Sequence, residues 1–192
     1  MQRLSRNAQV LRYLLDADPG VGRTKLAKYA YLADLVARQL LGRPISGFRY
    51  VFDRHGPFDA AAFFTAKEEL VGHDLAVESE IAIGPYVEHQ LSPTPRAVEY
   101  DFTLAETKVL EYVAQTYLSM GARQLCEEVV YRTEPMLKAK PGRLIPMSES
   151  TRPESVRLGF DLERMLAGEA SAGAGRTRPL REAANELRGR AH

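Results

Sequence analysis

Four histidines, one cysteine and several adjacent carboxylates are the side chains in this 192-residue chain that could hold a metal or attack a substrate. His55, His73, His89 and His192 lie far apart, and no two share the helical spacing by which one face grips zinc. Cys126 needs an activating base, yet its polar neighbours are Glu127 and Glu128, whose charge would raise the thiol's pKa, so it reads as inert. Glu68 with Glu69, and Glu127 with Glu128, are consecutive; on a helix such neighbours diverge by about 100° and do not share a site. Paired-carboxylate hydrolysis is therefore not indicated. The chain also lacks the serine elbow, the phosphate-binding loop and the dinucleotide fingerprint. No catalytic residue, metal or cofactor is expected, and the chain does not read as an enzyme. The most site-like fragment is Arg54-His55-Gly56-Pro57, a polar pair held at a rigid turn. There the plain expectation is that Gly56-Pro57 serves backbone geometry and His55 packs or hydrogen-bonds nearby.

That fragment follows the most strongly patterned part of the chain. From Thr24 to Leu41, Leu26, Ala30, Ala33, Ala37 and Leu40 recur at helical spacing, and Tyr29, Leu32, Val36 and Leu41 widen the stripe beyond one face. This reads as a central helix, with Thr24 as N-cap, Gly42 as left-handed C-cap and Pro44 forbidding continuation. Lys25, Lys28, Asp34 and Arg38 read as a solvated strip, with Asp34 and Arg38 paired at i, i+4. Phe48 to Phe52 reads as a strand.

Around this unit, Ser5 caps a first helix that Asp18-Pro19-Gly20 breaks, and Asp59 caps a third carrying Phe63, Phe64 and Leu70. Residues 75–91 form two extended runs about Gly84-Pro85, an antiparallel ribbon that Phe48 to Phe52 could join. Thr103 and Glu106 form a capping box for a helix with Leu104, Val109, Leu110, Val113 and Tyr117 inward. Residues 122–132 read as one further helix, Pro141 to Pro146 as a turn and short extended piece, and Ser155 as the cap of a last helix. The fold class is thus α+β, predominantly α-helical: a compact helical domain about a central apolar helix with a small antiparallel β ribbon. It spans residues 1–166, and residues 167–192 read as a flexible Ala/Gly/Arg-rich C-terminal tail.

A net charge of +1 supplies no global field for nucleic acid or an anionic membrane. The lone cysteine excludes an intramolecular disulfide and suits a reducing cytoplasm. No signal peptide or spanning segment is apparent, so a cytoplasmic location is expected.

The ordered pieces K-L-x-K-Y-A-Y-L-A-D (25–34), G-R-P-I-S-G (42–47), F-R-Y-V (48–51) and H-G-P-F (55–58) resemble the Panacea, or SocA-like, domain of bacterial and phage-associated toxin-antitoxin systems. The resemblance covers roughly residues 8–145 and loosens toward its end, where Tyr131 and Arg132 stand in place of a histidine common in relatives. It implies an antitoxin that neutralises a cognate, co-encoded protein toxin by direct binding, and it leaves open a role as adaptor to a protease. Homo-oligomers remain open. Arg49, Tyr50, Asp53, Arg54 and His55 are the expected contact residues, since Tyr and Arg dominate interface energetics. The alternative is a DNA-binding, helix-turn-helix-like regulator using residues 103–132. Against it, Lys108, Arg123 and Arg132 are offset by Glu106, Glu111, Glu127 and Glu128. The arginines of the tail, Arg176, Arg178, Arg181, Arg188 and Arg190, could bind nucleic acid only without specificity.

Overall fold

The computed structural model describes residues 3–147; the Ser155-capped helix and the tail lie outside them. The architecture is α+β and about half helical, with small antiparallel sheets. Helix α1 (Arg6–Ala17) begins where Ser5 Oγ accepts the Ala8 amide, as its sequence predicts. Strand β1 (Val21–Gly22) hands the chain directly to α2 (Arg23–Leu41), so the N-cap is Gly22 and not Thr24. The cause is long-range: β1 pairs with strand β5 (Tyr86–Pro93), fixing the helix start two residues earlier than local chemistry suggests. At the other end Gly42 sits at φ 72°, the left-handed cap expected of glycine.

Helix α2 is the axis of the fold. Every residue from Leu26 to Ala37 is buried, against α1, against α4 (Leu104–Tyr117) and against the loops that follow α2. Helix α3 (Ala60–Gly72) starts on the Asp59 side chain, which accepts the Ala62 amide, and α4 opens on the complete Thr103–Glu106 capping box. Leu104, expected inward, is 57% exposed; it is the first helical residue, ahead of the turn that meets the core.

Among the described residues two sheets accompany the helices. In the first, β5 lies between β1 and β4 (Ala76–Ile83), and β4 and β5 pair without interruption from Ala76↔Pro93 to Ile83↔Tyr86. Gly84 at φ 58°, followed by Pro85, makes the two-residue turn type II′, because proline cannot supply the second positive φ of type I′. The second sheet is separate: β2 (Val51–Asp53) pairs with β3 (Gly56–Phe58). Phe48 to Phe52 therefore does not extend the ribbon, and its first three residues are not strand. Residues 142–145 run beside β2 instead, with Phe52 N–H donating to Arg143 O and Ile145 N–H to Tyr50 O.

The stretch expected as one helix over 122–132 is irregular: α5 (Ala122–Gln124), a π-helical turn over Leu125–Val129 and a 3₁₀ turn over Val130–Arg132, before a short α6 (Glu134–Lys138). Among the described residues no helix is long and apolar enough to cross a membrane.

Candidate functional site

The polar residues of α2 do not form a solvated strip. Asp34 is 1% exposed and points at the loop that follows its own helix. Its Oδ1 accepts the Ile45 and Ser46 amides at 2.9 and 2.8 Å, and its Oδ2 accepts the Ser46 and Tyr50 hydroxyls, the latter at 2.7 Å. The expected Asp34–Arg38 pair is absent because all of this capacity is spent on the 45–50 loop. Burial pushes the Asp34 carboxyl up, and the four donors pull against that rise. Tyr50, a proposed contact residue, is 4% exposed and belongs to this buried network; it is core, not surface. Its ring meets Tyr31 edge-on at 5.3 Å, and the Tyr31 hydroxyl lies 2.8 Å from Thr133 Oγ1. Thr133 gives its proton to Val130 O, so Tyr31 is the donor of that pair.

Lys28, one turn and a half earlier, is likewise buried at 1% exposure and donates from Nζ to Pro57 O at 2.8 Å. Burial pushes its pKa down to about 8, with partial compensation from Cys126 and Asp53. The same turn is held from beneath by the π-helical segment, where the Cys126 thiol lies 3.9 Å from His55 O. Burial raises the thiol's pKa first, Lys28 opposes that, and Glu127 adds to it. Gly56 sits at φ 89°, and a Cβ there would stand 3.2 Å from the Tyr131 ring and 3.6 Å from Lys28 Nζ. Only glycine meets both demands.

The hairpin tip is thus clamped by Lys28, Cys126 and Tyr131 on one side and presents Asp53, Arg54 and His55 on the other, all exposed. Arg49 is also exposed, and its amide is anchored on Asp59 Oδ2 at 2.8 Å. Four of the five expected contact residues therefore face solvent near one turn, and Tyr50 does not. The His55 side chain is exposed, and among the described residues it is the backbone carbonyl that makes the contact, with the Cys126 thiol. Lys28 and Cys126 were not expected here, although an unusually wide apolar stripe on α2 already implied that charges on it would be covered.

A separate cleft, lined by Arg3, Gln9, His73, Arg96 and Asp101, lies away from this turn. Its polar groups answer one another: Arg3 and Gln9 reach Asp101, and Arg96 donates to His73 O. No protein-family model matches the chain, and no curated protein or solved structure matches it either.

Proposed function

We propose that this chain is a partner-binding antitoxin of the Panacea type, neutralising a co-encoded protein toxin by direct contact at the β2–β3 turn. The observation that carries the reading is the division of labour within the resembling segment. Lys28 turns inward beneath the crowded Gly56 to fix the β2–β3 turn, Asp34, Ser46 and Tyr50 fix the 45–50 loop that leads into it, and Arg49, Asp53, Arg54 and His55 are left on the outside. A carboxylate saturated by four donors and an ammonium held against a carbonyl serve rigidity and do not face a substrate. A rigid, charged, solvent-facing turn is what a protein contact requires, because a preorganised anchor loses little entropy on binding. Catalysis plays no part in this reading.

Expressed with the product of the adjacent gene, the chain should co-purify as a stoichiometric complex and restore growth that the partner alone arrests. Arg54→Ala tests the location, since the side chain is exposed and the fold should melt normally. An arginine at a hot spot contributes about 2 kcal/mol or more, roughly thirtyfold in affinity. Full neutralisation by Arg54→Ala would move the contact elsewhere, and failure of the wild type to bind the neighbouring product would sink the antitoxin reading.

A further inference from the structure

The β4–β5 ribbon carries much of the apolar surface that the described residues leave open. Val77, Ile81, Ile83, Tyr86 and Val87 are 42 to 75% exposed. Side chains alternate across a strand, and partners in register share a face. The pairs Val77↔Ser92, Ile81↔Glu88 and Ile83↔Tyr86 therefore put Val77, Ile81, Ile83 and Tyr86 on one face. The opposite face carries Ala76 and Leu91, which are buried in the core, together with Glu78, which is held by Arg23 and Lys67.

Strand β4 is also an edge. In the order β1-β5-β4, nothing among the described residues pairs with its outer side. Gly20 N–H donates to Leu91 O, so Leu91 turns its backbone away from β4. Its register partner Glu78 must then turn away from β5, and with it the alternate residues Glu80 and Ala82. Natural edges are blunted by charged side chains, lysine above all, by proline, by a bulge or by brevity, and the charges on this edge are Glu78 and Glu80. This one spans eight residues in unbroken register, and its sequence AVESEIAI contains no lysine and no proline.

We propose that the free edge of β4 accepts an extended segment of the protein partner, adding it to the sheet as a strand of alternating apolar and basic residues. The assignment rests on the partner-binding reading above only for the identity of that partner. Charge selects the occupant: between Asp74 and Pro93 the chain has four carboxylates, Asp74, Glu78, Glu80 and Glu88, and no lysine or arginine. Glu78 is neutralised from the core side, but Glu80, on the face opposite Ile81 and Ile83, meets among the described residues only His89, at 3.5 Å. A second copy of β4 would bring two more such glutamates to the ladder and no cation. A lysine- or arginine-bearing strand would answer Glu80 on its face of the sheet, with its apolar residues covering Val77, Ile81 and Ile83 on the other.

Two variants separate docking from folding. Ala82→Pro removes an outward N–H that the β4–β5 ladder does not use, and Glu80→Lys reverses an exposed charge; both should melt like the wild type. The probe is a labelled synthetic peptide alternating lysine with valine, followed by fluorescence anisotropy on the full chain, with a glutamate-for-lysine peptide as control. The lysine peptide should bind and the glutamate peptide should not, and each variant should weaken binding by about tenfold or more. Equal binding of both peptides, or binding indifferent to Ala82→Pro, overturns the proposal. So does a wild-type dimer, seen by sedimentation, that Ala82→Pro dissociates, because the occupant is then a second copy. The neighbouring gene product distinguishes the two readings. If it binds the wild type and both variants alike, the edge proposal falls and the antitoxin reading stands; if it does not bind the wild type, the antitoxin reading falls and the peptide still decides the edge.

Discussion

Replacing Lys28 with methionine keeps an unbranched apolar stem as far as Cε and removes the ammonium, which makes it a direct test of the buried charge beneath the hairpin. Burial moves the Lys28 pKa from an ordinary 10.5 to about 8. The unfolded chain therefore binds more protons than the folded one between those values, and stability rises with pH across that window. From about pH 7 to about pH 9 this amounts to about 1.3 kcal/mol in the wild type. Lys28→Met has no such contribution. At about pH 7 the variant gains by escaping the desolvation of a charge and loses by leaving Pro57 O without its donor, a penalty of about 1–3 kcal/mol, so the two proteins should lie within about 2 kcal/mol of each other. Cys126 works in the opposite direction, since its thiol is raised by burial. The readout is accordingly the difference between the two proteins. Urea unfolding at both pH values, with m unchanged, should show the wild type gaining about 1.3 kcal/mol on the variant. Parallel pH profiles for the two would mean that the Lys28 ammonium is hydrated and does not clamp the turn.

Three other outcomes follow from the same packing. Asp34→Ala strands two amides and two hydroxyls in the core, and at about 1–3 kcal/mol for each unsatisfied group it should abolish the cooperative melt of a domain with about 5–15 kcal/mol in total; a normal melt would refute the network. Gly56→Ala forces a side chain into positive φ against Tyr131, and should cost about 1–3 kcal/mol in a urea titration, whereas an unchanged midpoint would show that the turn relaxes freely. Burial raises the Glu106 carboxyl, but Arg6, the Thr103 amide and Arg43 overcome it and hold it at about 2. Its contribution is present above about pH 4.5 and lost as pH falls toward about 2, roughly 2 kcal/mol after allowing for the exposure of Arg43. Glu106→Gln should flatten that part of the acid-unfolding curve, and an identical curve would show that the pair contributes nothing.

The elements that local chemistry specifies were legible. Ser5, Asp59 and the Thr103–Glu106 box each begin the helix they are expected to begin, because an N-cap is a contact over three residues. Gly42 and the Gly84-Pro85 turn are right for the same reason. What was misread depends on partners far along the chain. Lys28 and Asp34 look like surface residues because charge ordinarily faces water, and their partners, Pro57 and the 45–50 loop, lie beyond the end of the helix. Tyr50 is an expected contact because of its residue type, but its hydroxyl has a buried partner in Asp34, sixteen residues back along the chain, and the ring is core. The π-helical turn at Leu125–Val129 follows a sequence that reads as ordinary helix, and it is packing beneath the hairpin that brings Cys126 to His55 O.

This division has a consequence for how such a domain could change partners. The residues that hold the β2–β3 turn and the 45–50 loop before it in place, Lys28 and Gly56 for the one and Asp34 and Tyr50 for the other, are buried or crowded, and altering them costs stability. Arg49, Arg54 and His55 are exposed, and the bonds that tie Arg49 and His55 to the fold run through backbone atoms, so substitutions there typically stay within about 0.5 kcal/mol, whereas Asp53, also exposed, adds its charge to the field at Lys28. The free edge of β4 has the same property, since backbone groups recruit a strand without regard to its sequence and only the side chains select it. On the antitoxin reading, one rigid scaffold could then meet different toxins by exchanging a handful of exposed side chains, with the stabilising network left intact.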